Sequence, residues 1–399
     1  MKIAILTSGI LPVPAVLGGA VENLIDFYLE YNNQHCLHDI TVYSIWHPDV
    51  KKHVALLSKV NHYKYVNVSG AIATIKKNIY RILHSNEYYN YQTEYYFEQS
   101  YKDLKKECFD CIILENRPGY AYKLSKRGIK NLVLHLHNDH LHHGSKHAKY
   151  IFESLEKIIT VSDYIKQRVQ TIDSNDKVKT VYNGIDNNSF SLRHVNQSIK
   201  RKDIGLSDED FVIVYSGRIN IEKGISELID AMLILKDYRN IKLLILGSSF
   251  FGNANNDNCF VKKLKAKTVE ISDRIVFTGF IPYVQMPNYI SMADIAIIPS
   301  VWDDPFPTTV LEAQAMELPI ITTRKGGIPE EVSEENAILL EINEQFPKNL
   351  ASAILDLYQT PEKCKKMSLV SLKRSKMFNK NEFSKNFFSA VESINTSKL

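Results

Sequence analysis

Residues 303–321, DDPFPTTVLEAQAMELPII, hold two acids eight positions apart, Asp304 and Glu312, around a Pro-Phe-Pro turn (Pro305, Phe306, Pro307) and two threonines, Thr308 and Thr309. Thr309 and Glu312 have the Thr-x-x-Glu spacing of a capping box, which would use both at a helix start. Asp304 is left unexplained by that reading. A tight loop turned back by the two prolines would instead present Asp304 to a hydroxyl, with the N-terminus of the following helix facing a phosphate. A second cluster, VYSGRINIEKG, puts Gly217, Arg218 and Lys223 directly after an apolar run. Two cations beside a glycine that permits close backbone approach suit a phosphate or diphosphate, and the same residues would equally suit a solvated loop. A third, GGAVENL at 18–24, opens a helix after the first apolar run. There Gly18 and Gly19 either bring backbone N–H groups to an anion or simply form a flexible loop.

Six of the 13 histidines fall in HLHNDHLHHGSKH, residues 135–147. The spacing matches no His-Glu-x-x-His helix and the segment lacks Cys, which argues against a metal centre. The expectation is one positioned histidine at a strand end, His137, with the others as solvated loop residues.

These groups need rigid elements to carry them. KIAILTS, ITVYSI, CIILEN, NLVLHLH, KIITVS and VKTVYNG are strand candidates in the first half, and FVIVYSGR, KLLILGS, RIVFTGF, IAIIPS and PIITTR in the second. Continuous Val/Ile/Leu runs bounded by Gly, Ser and Asn indicate parallel strands buried on both faces. Their alternation with helical stretches predicts two doubly wound α/β domains, with ligands at the C-terminal strand ends. Domains are expected at 1–190 and 207–375, joined by a polar linker at 191–206. An amphipathic helix at 376–399, with Phe383, Phe387, Phe388 and Val391 on one face, is expected to return to the first domain.

A length of 399 residues fits two domains of this kind. Residues 1–190 carry 23 Lys and Arg against 19 Asp and Glu, whereas residues 191–399 carry 26 of each. That excess is too small for a nucleic-acid footprint but biases the first domain towards an anionic surface. No segment approaches the ~20 apolar residues of a membrane span. The opening residues have no signal-peptide layout, so a cytoplasmic location is expected. Five scattered cysteines fit a reducing compartment, and the Cys108–Cys111 pair is expected to be structural. In AIATIKKNIYRILHS (71–85), Ile72, Ile75, Ile79, Ile82 and Leu83 form one stripe with Lys76, Lys77 and Arg81 beside it. Such a helix either packs on a sheet or lies on anionic lipid at the inner face of a membrane. The aromatic stretch that follows, EYYNYQTEYYFEQSY, suits an interface, an acceptor cleft or a core.

Taken in order, the motifs resemble the retaining glycosyltransferases of the GT-B fold, specifically carbohydrate-active family 4, including those of bacterial surface polysaccharides. The resemblance covers almost the whole chain. It is carried by Gly18–Gly19, ENRP (115–118), HLHND (135–139), ITVSDYIKQ (159–167) and VYNGID (181–186) in the first half. SGRINIEKG (216–224), GFIPYVQMPNYISMADIAIIPS (279–300), the Asp304-x7-Glu312 element and GGIPEEV (326–332) carry it in the second. It implies two Rossmann-like domains facing across a cleft, and transfer of a sugar from a nucleotide diphosphate donor, expected to be UDP-linked, to a glycan or lipid-linked acceptor. By the same resemblance Asp304 touches the donor sugar and Glu312 the nucleotide ribose. Arg218 and Lys223 neutralise the diphosphate, His137 stands beside the reacting sugar carbon, and backbone at Phe280 and Ile281 receives the base. Phe306, Thr308 and Thr309 would complete the donor site, with no cofactor and no metal. Two positions depart from the family pattern: Asp304 stands for a Glu, and Pro307 for a frequent Gly, which removes one N–H donor. A nucleotide-sugar epimerase or a phosphorylase would lack this set of spaced motifs. A non-catalytic glycan- or transferase-binding partner of the same fold would not need Arg218, Lys223 and Glu312 together.

Overall fold

The apolar runs become strands because both faces of each are covered, so alternation is unnecessary and branched residues fill the sheet. The computed structural model describes residues 1–57, 59–83, 91–196, 199–248 and 259–396. Contacts divide the chain into two units: residues 1–183 together with the C-terminal helix Lys380–Thr396, and Gly184–Asn379.

The first unit holds β1 (Lys2–Leu6), β2 (Asp39–Ile45), β3 (Asn61–Val66), β4 (Cys111–Glu115), β5 (Leu132–Leu136), β6 (Leu155–Thr160) and β7 (Val178–Thr180). Their order is β3-β2-β1-β4-β5-β6-β7, with every neighbouring pair parallel. The second unit holds β8 (Phe211–Ser216), β9 (Ile241–Leu246), β10 (Ile275–Gly279), β11 (Ile295–Ile298), β12 (Ile320–Thr323) and β13 (Ala337–Leu340). Their order is β10-β9-β8-β11-β12-β13, again all parallel. The two doubly wound α/β units expected from the sequence are therefore both present. In each sheet the strand order reverses beside the first strand, between β1 and β4 and between β8 and β11. Chain leaves the two central strands in opposite directions there, opening a crevice at their C-terminal ends.

Two strands went unread in the sequence, β3 and β13, and both are edge strands. Most of β3 is only half-buried, so its sequence, NHYKYV, needs no continuous apolar run. The stretch 191–206, expected as a linker, lies inside the second unit. The Arg201 guanidinium holds it there, donating to Asp294 Oδ2 at 3.0 Å and to the carbonyl of Met292 at 2.9 Å. Anchoring by charge leaves no trace in apolar periodicity. Residues 376–379 likewise group with the second unit, and Lys380 begins the helix that packs with the first.

Helix Lys380–Thr396 lays Phe383, Phe387, Phe388 and Val391 into the core of the first unit, against helix Ala20–His35. The Phe387 ring stacks on Tyr28, with centroids 4.3 Å apart and planes 6° from parallel. Helix Ala71–Leu83 contrasts with it: Ile72, Ile75, Ile79, Ile82 and Leu83 are 52–76% exposed. Residues 84 and 85 of the expected helix, the first four of the aromatic stretch (87–90) and the Arg81 side chain lie outside the described residues. The rest of that stretch forms helix Tyr91–Leu104, which buries Tyr96 and Phe97 in the core.

Phe387→Ala should lower unfolding stability by about 3–5 kcal/mol, the usual cost of emptying a buried aromatic site. Urea unfolding followed by fluorescence measures this. A loss below ~1 kcal/mol would mean that the C-terminal helix is not part of this core.

Candidate functional site

In the second unit the loops after β8 and β11 flank the reversal of strand order, and they bring together groups 81 residues apart. The Lys223 ammonium is ion-paired with the Asp304 carboxylate, and Asp304 Oδ2 also accepts from Ser300 Oγ at 3.1 Å. Asp304 is buried and Lys223 mostly so, with side chains 6% and 20% exposed. The approach depends on two glycines. Gly224, at φ 67°, stands where a Cβ would fall 1.8 Å from the carbonyl oxygen of Pro299. Gly326, at φ 57°, stands where a Cβ would fall 2.1 Å from the carbonyl oxygen of Asp304, and Gly327 N donates to that oxygen at 2.8 Å. A side chain at either position would push the β11 loop away.

Lys223 also lies 5.8 Å from the centroid of the Trp302 ring, a cation–π contact. The Trp302 indole N–H is buried and finds no acceptor among the described residues. Arg218 is exposed at the same strand end, and its carbonyl accepts from the Tyr215 hydroxyl at 2.8 Å. No described atom lies within 4 Å of a Cβ built on Gly217, so the backbone there is open on that side. The site thus offers one exposed cation, one cation held by an acid, and an unsatisfied N–H donor.

Helix Thr308–Ala315 starts from Pro307 as N-cap, with no side-chain cap. The capping-box alternative for Thr309 and Glu312 is therefore not the one formed: Thr309 is the second residue inside the helix. The Thr308 hydroxyl bonds the Glu312 carboxyl one turn on. Burial lifts that carboxyl to about 7, against the lowering effect of the Thr308 bond. Phe306 is buried with its ring 5.7 Å from that of Phe378, so its side chain is committed to packing. Phe280 and Ile281 follow the end of β10, half-buried. Glu331 lies fully buried near Asp304, with neither carboxylate oxygen hydrogen-bonded among the described residues. Burial first, and the Asp304 charge second, hold the Glu331 carboxyl far above the usual carboxylate range.

In the first unit the reversal lies between β1 and β4. Gly18 and Gly19 occupy the loop after β1, and Gly19 is the N-cap of helix Ala20–His35 with no side-chain cap. Glu115, the last residue of β4, accepts from Tyr28 OH at 3.0 Å and faces His135 Nδ1 at 3.2 Å and His137 Nε2 at 2.9 Å. All three acid and imidazole side chains are buried. Burial alone would raise the Glu115 carboxyl, yet the two imidazoles outweigh it and hold the group at about 2. Burial, reinforced by His135 and opposed by Glu115, lowers the His137 imidazole to about 4. The nearest oxygen and nitrogens of the three residues lie within 4.8 Å of one another, close enough to be bridged by one ion.

The expectation that the neighbours of His137 are solvated loop residues is corrected by His135, which lies inside β5. His140, His143 and His147 are exposed, and the His147 ring stacks on Tyr122 at 4.3 Å. Glu115, His135, Ser300, Trp302 and Glu331 were not singled out as site residues from the sequence. Position at a strand's C-terminal end was the signal available for Glu115, the final residue of CIILE. Cys108 and Cys111 are free thiols, and burial followed by the Asp110 charge pushes Cys111 up to about 12.

A family model described as "Glycosyl transferases group 1" matches residues 196–371. A putative glycosyltransferase of Bacillus subtilis (strain 168), YtcC, is 30% identical over 381 residues, which span 92% of this chain and 86% of that protein. Spore coat protein SA of the same organism is 28% identical over 384 residues, 93% of each chain. Among solved structures, Anabaena Alr3699/HepE in complex with UDP and glucose superposes with a TM-score of 0.74 at 19% identity, over 98% of this chain and 100% of that one. At that identity the likeness establishes the fold alone, and it is the GT-B fold.

Proposed function

The chain belongs to the glycosyl transferases group 1 family, and on that premise we propose that this glycosyltransferase moves a sugar from a UDP-sugar to a glycan acceptor with retention of anomeric configuration. The observation that carries the reading is the Lys223–Asp304 pair beside the exposed Arg218 at the reversal of the second sheet. UDP is favoured as the nucleotide because the similar Anabaena structure is of a complex with UDP and glucose.

In this reading Arg218 and Lys223 receive the diphosphate, whose charge grows as the bond to the sugar breaks. Cationic donors aimed at developing charge are the largest single contribution in many enzymes, and here they replace a divalent metal. A diphosphate competes with Asp304 for Lys223, and Asp304 is then available to accept from a hydroxyl of the donor sugar. The buried Trp302 N–H would gain an acceptor from the ligand. Glu312 accepts from the ribose, Phe280 and Ile281 receive the base, and Gly18, Gly19, Thr308, Thr309 and the backbone of Phe306 line the donor. His137 acts at the transferred sugar. The leaving phosphate oxygen takes the acceptor proton, so no separate base is needed.

The acceptor we propose is a lipid-linked intermediate of a bacterial surface polysaccharide, met at the cytoplasmic face of the membrane. No helix among the described residues is long and apolar enough to cross a membrane. Helix Ala71–Leu83 carries Lys76 and Lys77 beside its exposed aliphatic stripe and has no acidic residue, the composition of a helix that lies on anionic lipid.

Three outcomes test this. Arg218→Ala should lower turnover of the best donor in a UDP-sugar panel on the order of 100-fold. The side chain is exposed, so melting should be unchanged; a folded variant of wild-type rate removes the diphosphate assignment. Glu312 is protonated below about 7 in the free protein. A carboxylate accepting two ribose hydroxyls must be ionised, so UDP affinity should rise between pH 6 and pH 8. Calorimetry on wild type and Glu312→Gln separates this from titration of the phosphate, since only the difference between the two proteins belongs to Glu312. A pH-independent difference places the ribose elsewhere. Finally, the protein should sediment with phosphatidylglycerol-containing vesicles at low salt, and Ile75→Glu/Ile79→Glu should abolish this. Equal sedimentation of both proteins would remove the membrane contact.

A further inference from the structure

The cluster at the reversal of the first sheet fixes a property of His137 that its position alone does not. An ionised carboxylate only accepts hydrogen bonds. Glu115, held ionised down to about 2, therefore requires a proton on each nitrogen that faces it. For His135 this is Nδ1, 3.1 Å from Glu115 Oε2 and 3.2 Å from Oε1. Its Nε2 is buried with no partner among the described residues, and the ring lies among Phe383 and Phe387, 6.4 and 5.0 Å away by centroid. The Glu115 carboxylate thus places a proton on His135 Nδ1.

His137 has the opposite arrangement. Its Nε2 faces Glu115 Oε2 at 2.9 Å, while its backbone N–H donates to Asn116 Oδ1 at 3.1 Å. The carboxylate takes the Nε2 proton, and a neutral ring is then left with a bare lone pair on Nδ1. We propose that Glu115 is a positioning residue that locks His137 in the Nε2–H tautomer, so that Nδ1 meets the substrate as a hydrogen-bond acceptor. A bare acceptor selects a hydroxyl and repels a phosphate oxygen. His137 is thereby assigned to a sugar hydroxyl, and the diphosphate is left to the cations of the second unit. Tyr28 and His135 are the other polar groups bonded to Glu115 among the described residues, and the Glu115 charge in turn helps raise the Glu22 carboxyl. The inference rests on the glycosyltransferase reading only for what His137 touches, not for its tautomer.

The test is nitrogen NMR of the full chain labelled with 15N-histidine. His137 should be neutral and protonated on Nε2 from pH 6 to pH 8. An Nδ1–H tautomer or an imidazolium at pH 7 overturns the inference, and this arm needs neither a substrate nor a variant. Glu115→Gln removes the charge that fixes the tautomer. It should give mixed His137 tautomers and a turnover about 10- to 100-fold lower with the best UDP-sugar, with KM for that donor changed less than 3-fold. Glu115→Asp should restore part of both. A folded Glu115→Gln protein with wild-type tautomer and rate overturns the inference. So does one equivalent of zinc in the purified protein that Glu115→Gln removes, since the three side chains would then be ligands and both ring nitrogens facing Glu115 would be deprotonated. Absence of turnover with every nucleotide sugar, alongside the expected tautomer, would instead count against the enzymatic reading.

Discussion

A parallel sheet ends all of its strands on one edge, and that constraint governs everything else in this molecule. Loops at that edge carry few backbone bonds of their own, so their polar groups are available for chemistry. Where the strand order reverses, two adjacent loops turn away from each other and leave room for a ligand. Both units use this geometry. In the second, the loop after β8 supplies Gly217, Arg218 and Lys223, and the loop after β11 supplies Ser300, Trp302 and Asp304. In the first, the loop after β1 supplies Gly18 and Gly19, and β4 and β5 end on Glu115 and at His137.

The two sites differ in how they handle charge. In the second unit an exposed Arg218 and a largely buried Lys223 sit where water is partly excluded, and Asp304 neutralises Lys223 until something more anionic arrives. Removing one member of a buried pair commonly costs 3–5 kcal/mol, so the pair also holds the β8 and β11 loops together. In the first unit Glu115 is held ionised, and the Tyr28 hydroxyl and the facing nitrogens of His135 and His137 donate to it. The result is a polar cluster with fixed proton positions, which suits recognition of neutral hydroxyls. Glu312 and Glu331 follow a third pattern, carboxyls that burial pushes above the usual carboxylate range. One of them, Glu331, lies close enough to Asp304 that a second negative charge there would weaken the hold on Lys223.

The sequence made the sheets and the cations legible for a simple reason: continuous apolar runs and the residues just after them are local signals. β3 and β13 escaped because an edge strand is covered on fewer sides and tolerates NHYKYV or a four-residue AILL. The segment 191–206 escaped because Arg201 anchors it to Asp294, a partner 93 residues away. The same limit applies to the sites. Lys223 and Asp304 could each be singled out, but not their pairing, because it depends on Gly224 and Gly326 bringing backbone within contact of Pro299 and Asp304. His135 read as one histidine among six because the pattern HLH alternates across a strand, and burial of the first depended on a helix 245 residues later in the chain, which supplies Phe383 and Phe387.

The Asp at position 304 takes on a definite meaning against this background. A Glu there would carry its carboxylate one carbon–carbon bond further, about 1.5 Å, away from a backbone that Gly327 N and the absence of a Cβ on Gly326 hold in place. The loop is backed by Gly326, packed against the Asp304 carbonyl, and by Lys325, 3.7 Å from Asp303 Oδ1, which leaves it little room to retreat. The shorter acid keeps its charge back, on Lys223 and Ser300. On the proposed donor-site reading, the shorter acid would alter which sugar hydroxyl is met in the second unit while leaving the cation for the phosphates, and it would do so through the rigidity of the backbone rather than through any change in charge.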